Sequence, residues 1–215
     1  DIDATKTLTG RDMTEGEFSF EIVTREADGF GGEFTPATVA AGTNAAANDG
    51  EAGDVAFTGT DGAMTYTIAK LDQAVANGYA TKSVGDNGNA TWTLNYTARE
   101  LTGDLPAKVT AEDPTSFDFT VTVVDNGDGT LEATVRLPQG GIAFKNTYTP
   151  DSVTVGKDGD VQITVQKTFT GRANNAWLEG DSFVFTIAAE TAGAPMPENA
   201  TVEVTNKDTE VDGVA

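Results

Sequence analysis

A lysine on the inward side of a strand constrains this chain more than any other feature. In Asp1-Ile-Asp-Ala-Thr-Lys-Thr-Leu-Thr-Gly-Arg11, Ile2, Ala4, Lys6 and Leu8 share one parity, and Asp3, Thr5 and Thr7 the other. Successive side chains of a strand point to opposite faces, so Lys6 lands among aliphatics on the face meant for a core. A charged lysine there is unfavourable unless it is paired or neutral. The arrangement recurs downstream. Val161, Ile163, Val165, Lys167 and Phe169 share one parity, and Lys-Thr-Phe-Thr-Gly-Arg echoes Lys-Thr-Leu-Thr-Gly-Arg.

Other runs repeat the period of two. Phe18, Phe20 and Ile22 predict a second strand, and Met64 to Ile68 a short one. Thr91 to Glu100 predicts a long strand with Trp92, Leu94, Tyr96, Ala98 and Glu100 on one face. Phe117 to Val124 and Leu131 to Leu137 read as a hairpin, and Ile142, Phe144, Asn146 and Tyr148 share the face of a last strand. Leu71 to Gly78 fits a turn or two of helix. Residues 28–54, rich in Gly, Ala, Asn and Asp, read as a long mobile loop with one short strand near Phe34 to Val39. With 24 glycines and many Thr and Val residues in short alternating runs, the fold class is all-β.

The domain plan follows. Residues 1–150 form one complete domain and 151–160 a linker. Residues 161–215 begin a second copy, in which Phe183, Phe185 and Ile187 replay Phe18, Phe20 and Ile22 after an insertion at Asn174 to Trp177. Counterparts of the Glu100 and Asn146 strands do not appear before Ala215. The mid-strand start at Asp1, with no signal peptide before it, reads as a mature fragment of a longer secreted chain.

A net charge of −21 argues against nucleic acid and anionic membrane partners, which need basic patches. No stretch is long and apolar enough to insert as a spanning helix. With no cysteine and no histidine, disulfides, thiol nucleophiles, Cys/His zinc sites and Ser-His-Asp triads are excluded. No cofactor or metal is expected. Asp125-Asn-Gly-Asp-Gly129 lacks the spacing and final glutamate of a calcium-binding EF-hand loop and reads as a hairpin turn.

Lys6, Glu100 and Asn146 each interrupt an apolar strand face. Singly, each has a bland explanation: a lysine snorkels to the rim, a glutamate at a strand end meets solvent, a buried asparagine bonds backbone. Together they can react. A neutral lysine is a nucleophile, and desolvation favours the neutral amine while an apolar pocket favours a protonated carboxyl. The amine attacks the asparagine amide carbon, and the acid polarises the amide oxygen and passes a proton to the leaving ammonia. The product is a Lys–Asn isopeptide bond, formed once per molecule.

The Lys6 segment, Tyr96-Thr-Ala-Arg-Glu100, Val123 to Leu131 and Phe144-Lys-Asn-Thr-Tyr148 resemble the pilin isopeptide-linkage domains of Gram-positive surface proteins, related to the streptococcal major pilin. The resemblance covers residues 1–150 and the start of another copy. It implies an immunoglobulin-like β-sandwich in which Lys6 is the amine, Asn146 the amide and Glu100 the catalytic carboxyl, with Asp118 a competing acid. In the second copy it assigns Lys167 alone. It implies a self-crosslinking structural stalk or pilin module, not an enzyme with turnover, on the cell-wall-anchored surface of a Gram-positive bacterium. The implied partners are further copies of the domain in a longer chain and host surface molecules. The bond would close a loop of about 140 residues, worth about 4–5 kcal/mol by analogy with a disulfide. Against a pilus shaft stands the absence of a Leu-Pro-x-Thr-Gly sorting motif and of an obvious pilin lysine motif, so an adhesin stalk repeat fits equally. The alternative is a ligand-binding adhesin domain that uses residues 28–60, or the segment 71–90, as contact surface. A carboxylate glycosidase ranks last, because it needs two acids facing a cleft and the sequence offers no such pair.

Overall fold

The computed structural model describes residues 2–60, 64–86, 88–153, 171, 178, 180–191, 194, 196 and 200–205. The chain divides into two compact units, Asp1–Pro150 and Asp151–Ala215. The first contains β1 (Ala4–Thr9), β2 (Ser19–Thr24), β3 (Thr38–Asn44), β4 (Ala52–Gly59), α1 (Ile68–Ala76), β5 (Ala80–Val84), β6 (Ala90–Glu100), β7 (Val109–Glu112), β8 (Ser116–Asp125), β9 (Leu131–Arg136) and β10 (Ile142–Tyr148). The all-β expectation holds, with α1 falling where Leu71 to Gly78 predicted helix.

These strands form one sheet in the order β7-β10-β1-β4-β3-β2-β6-β8-β9, with β5 also paired to β6. The sheet curls at β4. Ala52–Asp54 pair with β1, whereas Val55–Gly59 pair with β3. A strand that changes partner along its length turns a corner between two layers. The curl brings β10 over β2 and β8: the Phe144 ring lies 4.8 Å from Phe20 and 5.1 Å from Phe117. The core fills the space between, built from the inward parity of each strand. Along β6, Trp92, Leu94, Tyr96, Ala98 and Glu100 are buried while Thr93, Asn95 and Thr97 are partly exposed and Arg99 is exposed. First and last strands are neighbours. β1 and β10 run parallel, with Lys6 opposite Phe144 and Leu8 opposite Asn146.

Two expectations are corrected. Residues 38–44 and 52–59 are strands, so 28–54 is not one long loop, and the short strand near Phe34 to Val39 lies later, at Thr38–Asn44. Two glycines of these strands sit at close approaches. A Cβ on Gly42 would sit 2.8 Å from the Phe57 ring, and one on Gly53 2.6 Å from the Ala45 carbonyl oxygen. Met64 to Ile68 is not a strand. Met64 and Thr65 form a turn, and Thr67 caps α1 by accepting from the Lys70 N–H at 3.3 Å.

In the second unit, β11 (Ser182–Thr186) pairs antiparallel with β12 (Thr201–Thr205), placing Phe183 and Phe185 on β11. Lys167, Phe169, the insertion at Asn174 to Trp177 and most of the linker lie outside the described residues. Among the described residues, no helix is long and apolar enough to cross a membrane.

Candidate functional site

The site sits where β1, β6 and β10 meet in the curl. Period two turns Ala4, Lys6 and Leu8 inward on β1 and Ile142, Phe144 and Asn146 inward on β10. Glu100 closes β6. Its N–H donates to the Thr115 carbonyl at 3.0 Å, and it pairs with Phe20 of β2, so the strand end is held on both sides. Lys6 is 0 %, Asn146 1 % and Glu100 5 % exposed, which excludes rim snorkelling and a solvated strand end.

The three residues predicted from sequence meet at one atom. Lys6 Nζ donates to Glu100 Oε1 at 2.6 Å, and Asn146 Nδ2 donates to the same oxygen at 2.8 Å. Glu100 Oε2 and Asn146 Oδ1 are buried with no hydrogen-bond partner among the described residues. Unpaired buried acceptors are rare, because each forfeits its hydration without compensation. Aromatic rings complete the pocket: Lys6 Nζ lies 4.6 Å from the Phe18 ring centroid and 6.0 Å from that of Phe20. Burial draws the Lys6 amine below its ordinary lysine pKa. The hydrogen bond and charge of Glu100, and the charge of Glu112, oppose this without cancelling it.

This geometry refines the chemistry expected of the acid. Glu100 touches the amide nitrogen, the atom that would leave, rather than the amide oxygen. It is therefore placed to carry a proton from Lys6 to that nitrogen. Polarising Oδ1 would require the amide to turn over.

Asp118, the competing acid, lies on the outer face. Its side chain is 58 % exposed, it accepts from Thr97 Oγ1 at 2.6 Å, and it pairs with Arg25 at 3.3 Å. The run Asp125 to Gly129 joins β8 to β9, and its carboxylates bond the loop's own backbone: Asp125 Oδ1 accepts from the Gly127 N–H and Asp128 Oδ1 from the Thr130 N–H, both at 2.9 Å. Among the described residues no cluster of three metal-ligating side chains occurs. Lys167 lies outside the described residues.

Sequence reasoning missed Asn44, which is 2 % exposed at the end of β3. Its Oδ1 accepts from the Phe18 N–H at 2.8 Å, and its Nδ2 donates to the Thr14 and Ala45 carbonyls at 2.8 and 2.9 Å. The signal was the shared parity of Ala40, Gly42 and Asn44, hidden because small inward residues carry little hydrophobic contrast.

Compared with known proteins, residues 2–149 match the FctA family, described as the Spy0128-like isopeptide containing domain. No curated protein and no solved structure matches the chain.

Proposed function

The chain belongs to this FctA family of pilin-type structural domains, and from that premise we propose that residues 1–150 form a self-crosslinking module of a bacterial surface fibre or stalk. The observation that supports this reading is the shared contact of Lys6 Nζ and Asn146 Nδ2 on Glu100 Oε1, out of water.

The reaction balances within the pocket. Lys6 gives a proton to Glu100 and becomes a neutral amine. Nζ attacks Cγ of Asn146, the Nζ–Cγ bond forms, and the Cγ–Nδ2 bond breaks. The amine's second proton passes to the departing nitrogen through Glu100, and ammonia leaves. Proximity supplies much of the rate, because the fold holds amine, amide and acid at high effective concentration. The reaction happens once per molecule, so the domain is a structural part and not an enzyme with turnover.

The bond would join the first and last strands. Because β1 and β10 are parallel neighbours, tension entering at the start of β1 and leaving at the end of β10 loads their ladder in shear. A covalent bridge between Lys6 and Asn146 would carry that tension past the rest of the sheet. A cell-surface, wall-anchored setting, and tandem copies of the domain as neighbours, follow from the same role. The ligand-binding alternative loses its long loop, since β3 and β4 occupy most of residues 38–59.

The test is peptide mapping. Proteolysis of the purified protein should release one branched peptide joining the Lys6 and Asn146 segments, lighter by one ammonia than its parts. Recovery of both segments as separate linear peptides would overturn the proposal.

A further inference from the structure

Lys6 Nζ touches more than its two polar partners. The nearest ring is Phe18, 2 % exposed, immediately before β2. Its place is fixed from two directions. Asn44 accepts from its N–H and also binds the Thr14 and Ala45 carbonyls. On the other side, Glu17 accepts from the Thr14 N–H at 3.0 Å and pairs with Arg11, whose guanidinium lies 5.0 Å from the Tyr148 ring of β10. The turn 14–18 is thus tied to β3 behind it and to β10 beside it.

From this geometry we infer that Phe18 is a positioning residue for the Lys6–Asn146 crosslink: its ring face confines the Lys6 amine against Glu100 and Asn146, and Asn44 holds the ring there. The inference rests on the crosslinking reading above. A ring face attracts a cation through its quadrupole, more strongly when both are out of water. Phe18 therefore does two separable things. It restricts where the amine can go, which speeds attack on the amide. It also favours the charged amine, in the same sense as Glu100 and Glu112, the two charged groups that act on Lys6. Gly53, opposite Lys6 on β4, adds no charge.

The test follows ammonia loss by intact mass as chains produced in unfolded form, at full sequence mass in urea, are refolded by dilution across a pH series. Phe18→Leu should lower the alkaline plateau rate about tenfold and move the midpoint of the pH profile down by about one unit. Asn44→Ala should move both in the same direction by less. Phe119→Leu removes a ring from the same core, stacked 5.5 Å from Tyr96 and away from Lys6, and should leave the midpoint in place. A second readout does not depend on the reaction. In an Asn146→Ala background the Lys6 amine persists, and its NMR titration should move to lower pH when Phe18→Leu is added.

A wild type that crosslinks beside a Phe18→Leu variant with unchanged plateau and midpoint overturns the inference alone, as does an equal midpoint shift in Phe119→Leu. A wild type that never loses ammonia overturns the crosslinking reading and this inference with it.

Discussion

Asn44 and Asn146 are both buried asparagines on inward strand positions, one at the end of β3 and the other within β10. Asn44 is fully partnered: its oxygen accepts one backbone N–H and its nitrogen donates to two backbone carbonyls. Asn146 is not. Its nitrogen meets a carboxylate that also holds a lysine, and its oxygen meets nothing polar among the described residues. The first arrangement lowers energy and stops there. The second gathers an amide nitrogen and an amine on one carboxylate oxygen, Glu100 Oε1, and leaves the amide oxygen without a polar partner among the described residues. Burial by itself therefore does not single out Asn146; its incomplete pairing beside an amine and an acid is what the crosslinking proposal uses.

The largest break in this comparison is Asn146→Ala. It should abolish the crosslink and remove the loop-closure benefit, about 5 kcal/mol for a loop of this length. Urea unfolding monitored by fluorescence would read it as a much lower midpoint. Asn44→Ala should instead still end one ammonia below its own sequence mass, since Lys6, Glu100 and Asn146 stay in place. It strands the Phe18 N–H and should lower stability by about 2–3 kcal/mol. If Asn44→Ala also left the chain permanently uncrosslinked, the two asparagines would not have separate roles.

A smaller effect concerns pH. Burial holds the Lys6 pKa in the fold below its unfolded value, and Asn146→Ala would keep that amine free to titrate. Between those two values the unfolded chain binds more protons, so stability should rise with pH and level off near the ordinary lysine value of about 10.4. The Lys6→Met, Asn146→Ala double variant should lack that rise. The comparison must be a difference between the two proteins, because a chain of net charge −21 also repels itself more at high pH. The smallest effect is expected for Asp118→Asn. An exposed acid paired at 3.3 Å with Arg25 contributes less than about 1 kcal/mol, and its loss should leave crosslinking untouched.

Much of the site was legible because strand periodicity is strict. A single polar residue inside an apolar parity stands out, and Lys6, Glu100 and Asn146 each do so on β1, β6 and β10. Periodicity could not choose between Glu100 and Asp118 by itself. The structure separates them because the two lie on opposite faces, Glu100 inward and Asp118 outward with Thr97 and Arg25. The corner at β3 and β4 was illegible for a physical reason. Gly42 and Gly53 leave room for the Phe57 ring and the Ala45 carbonyl, and a strand built from Gly and Ala looks like a loop. The edge strands β5 and β7 escaped notice because they have few inward apolar residues: in β5 only Ala80 is buried. At Met64 to Ile68 an accidental alternation masked a helix start whose real signal was the capping Thr67.

The most direct measurement is the intact mass of the wild type beside Lys6→Ala, Glu100→Ala and Asn146→Ala. The wild type should be lighter than its sequence by one ammonia, and the three variants should stand at full sequence mass. A Glu100→Ala protein that still loses ammonia would show that another group carries the proton. A wild type at full sequence mass would rule out the crosslink, leaving the Lys6–Glu100–Asn146 contact as a buried polar network and nothing more.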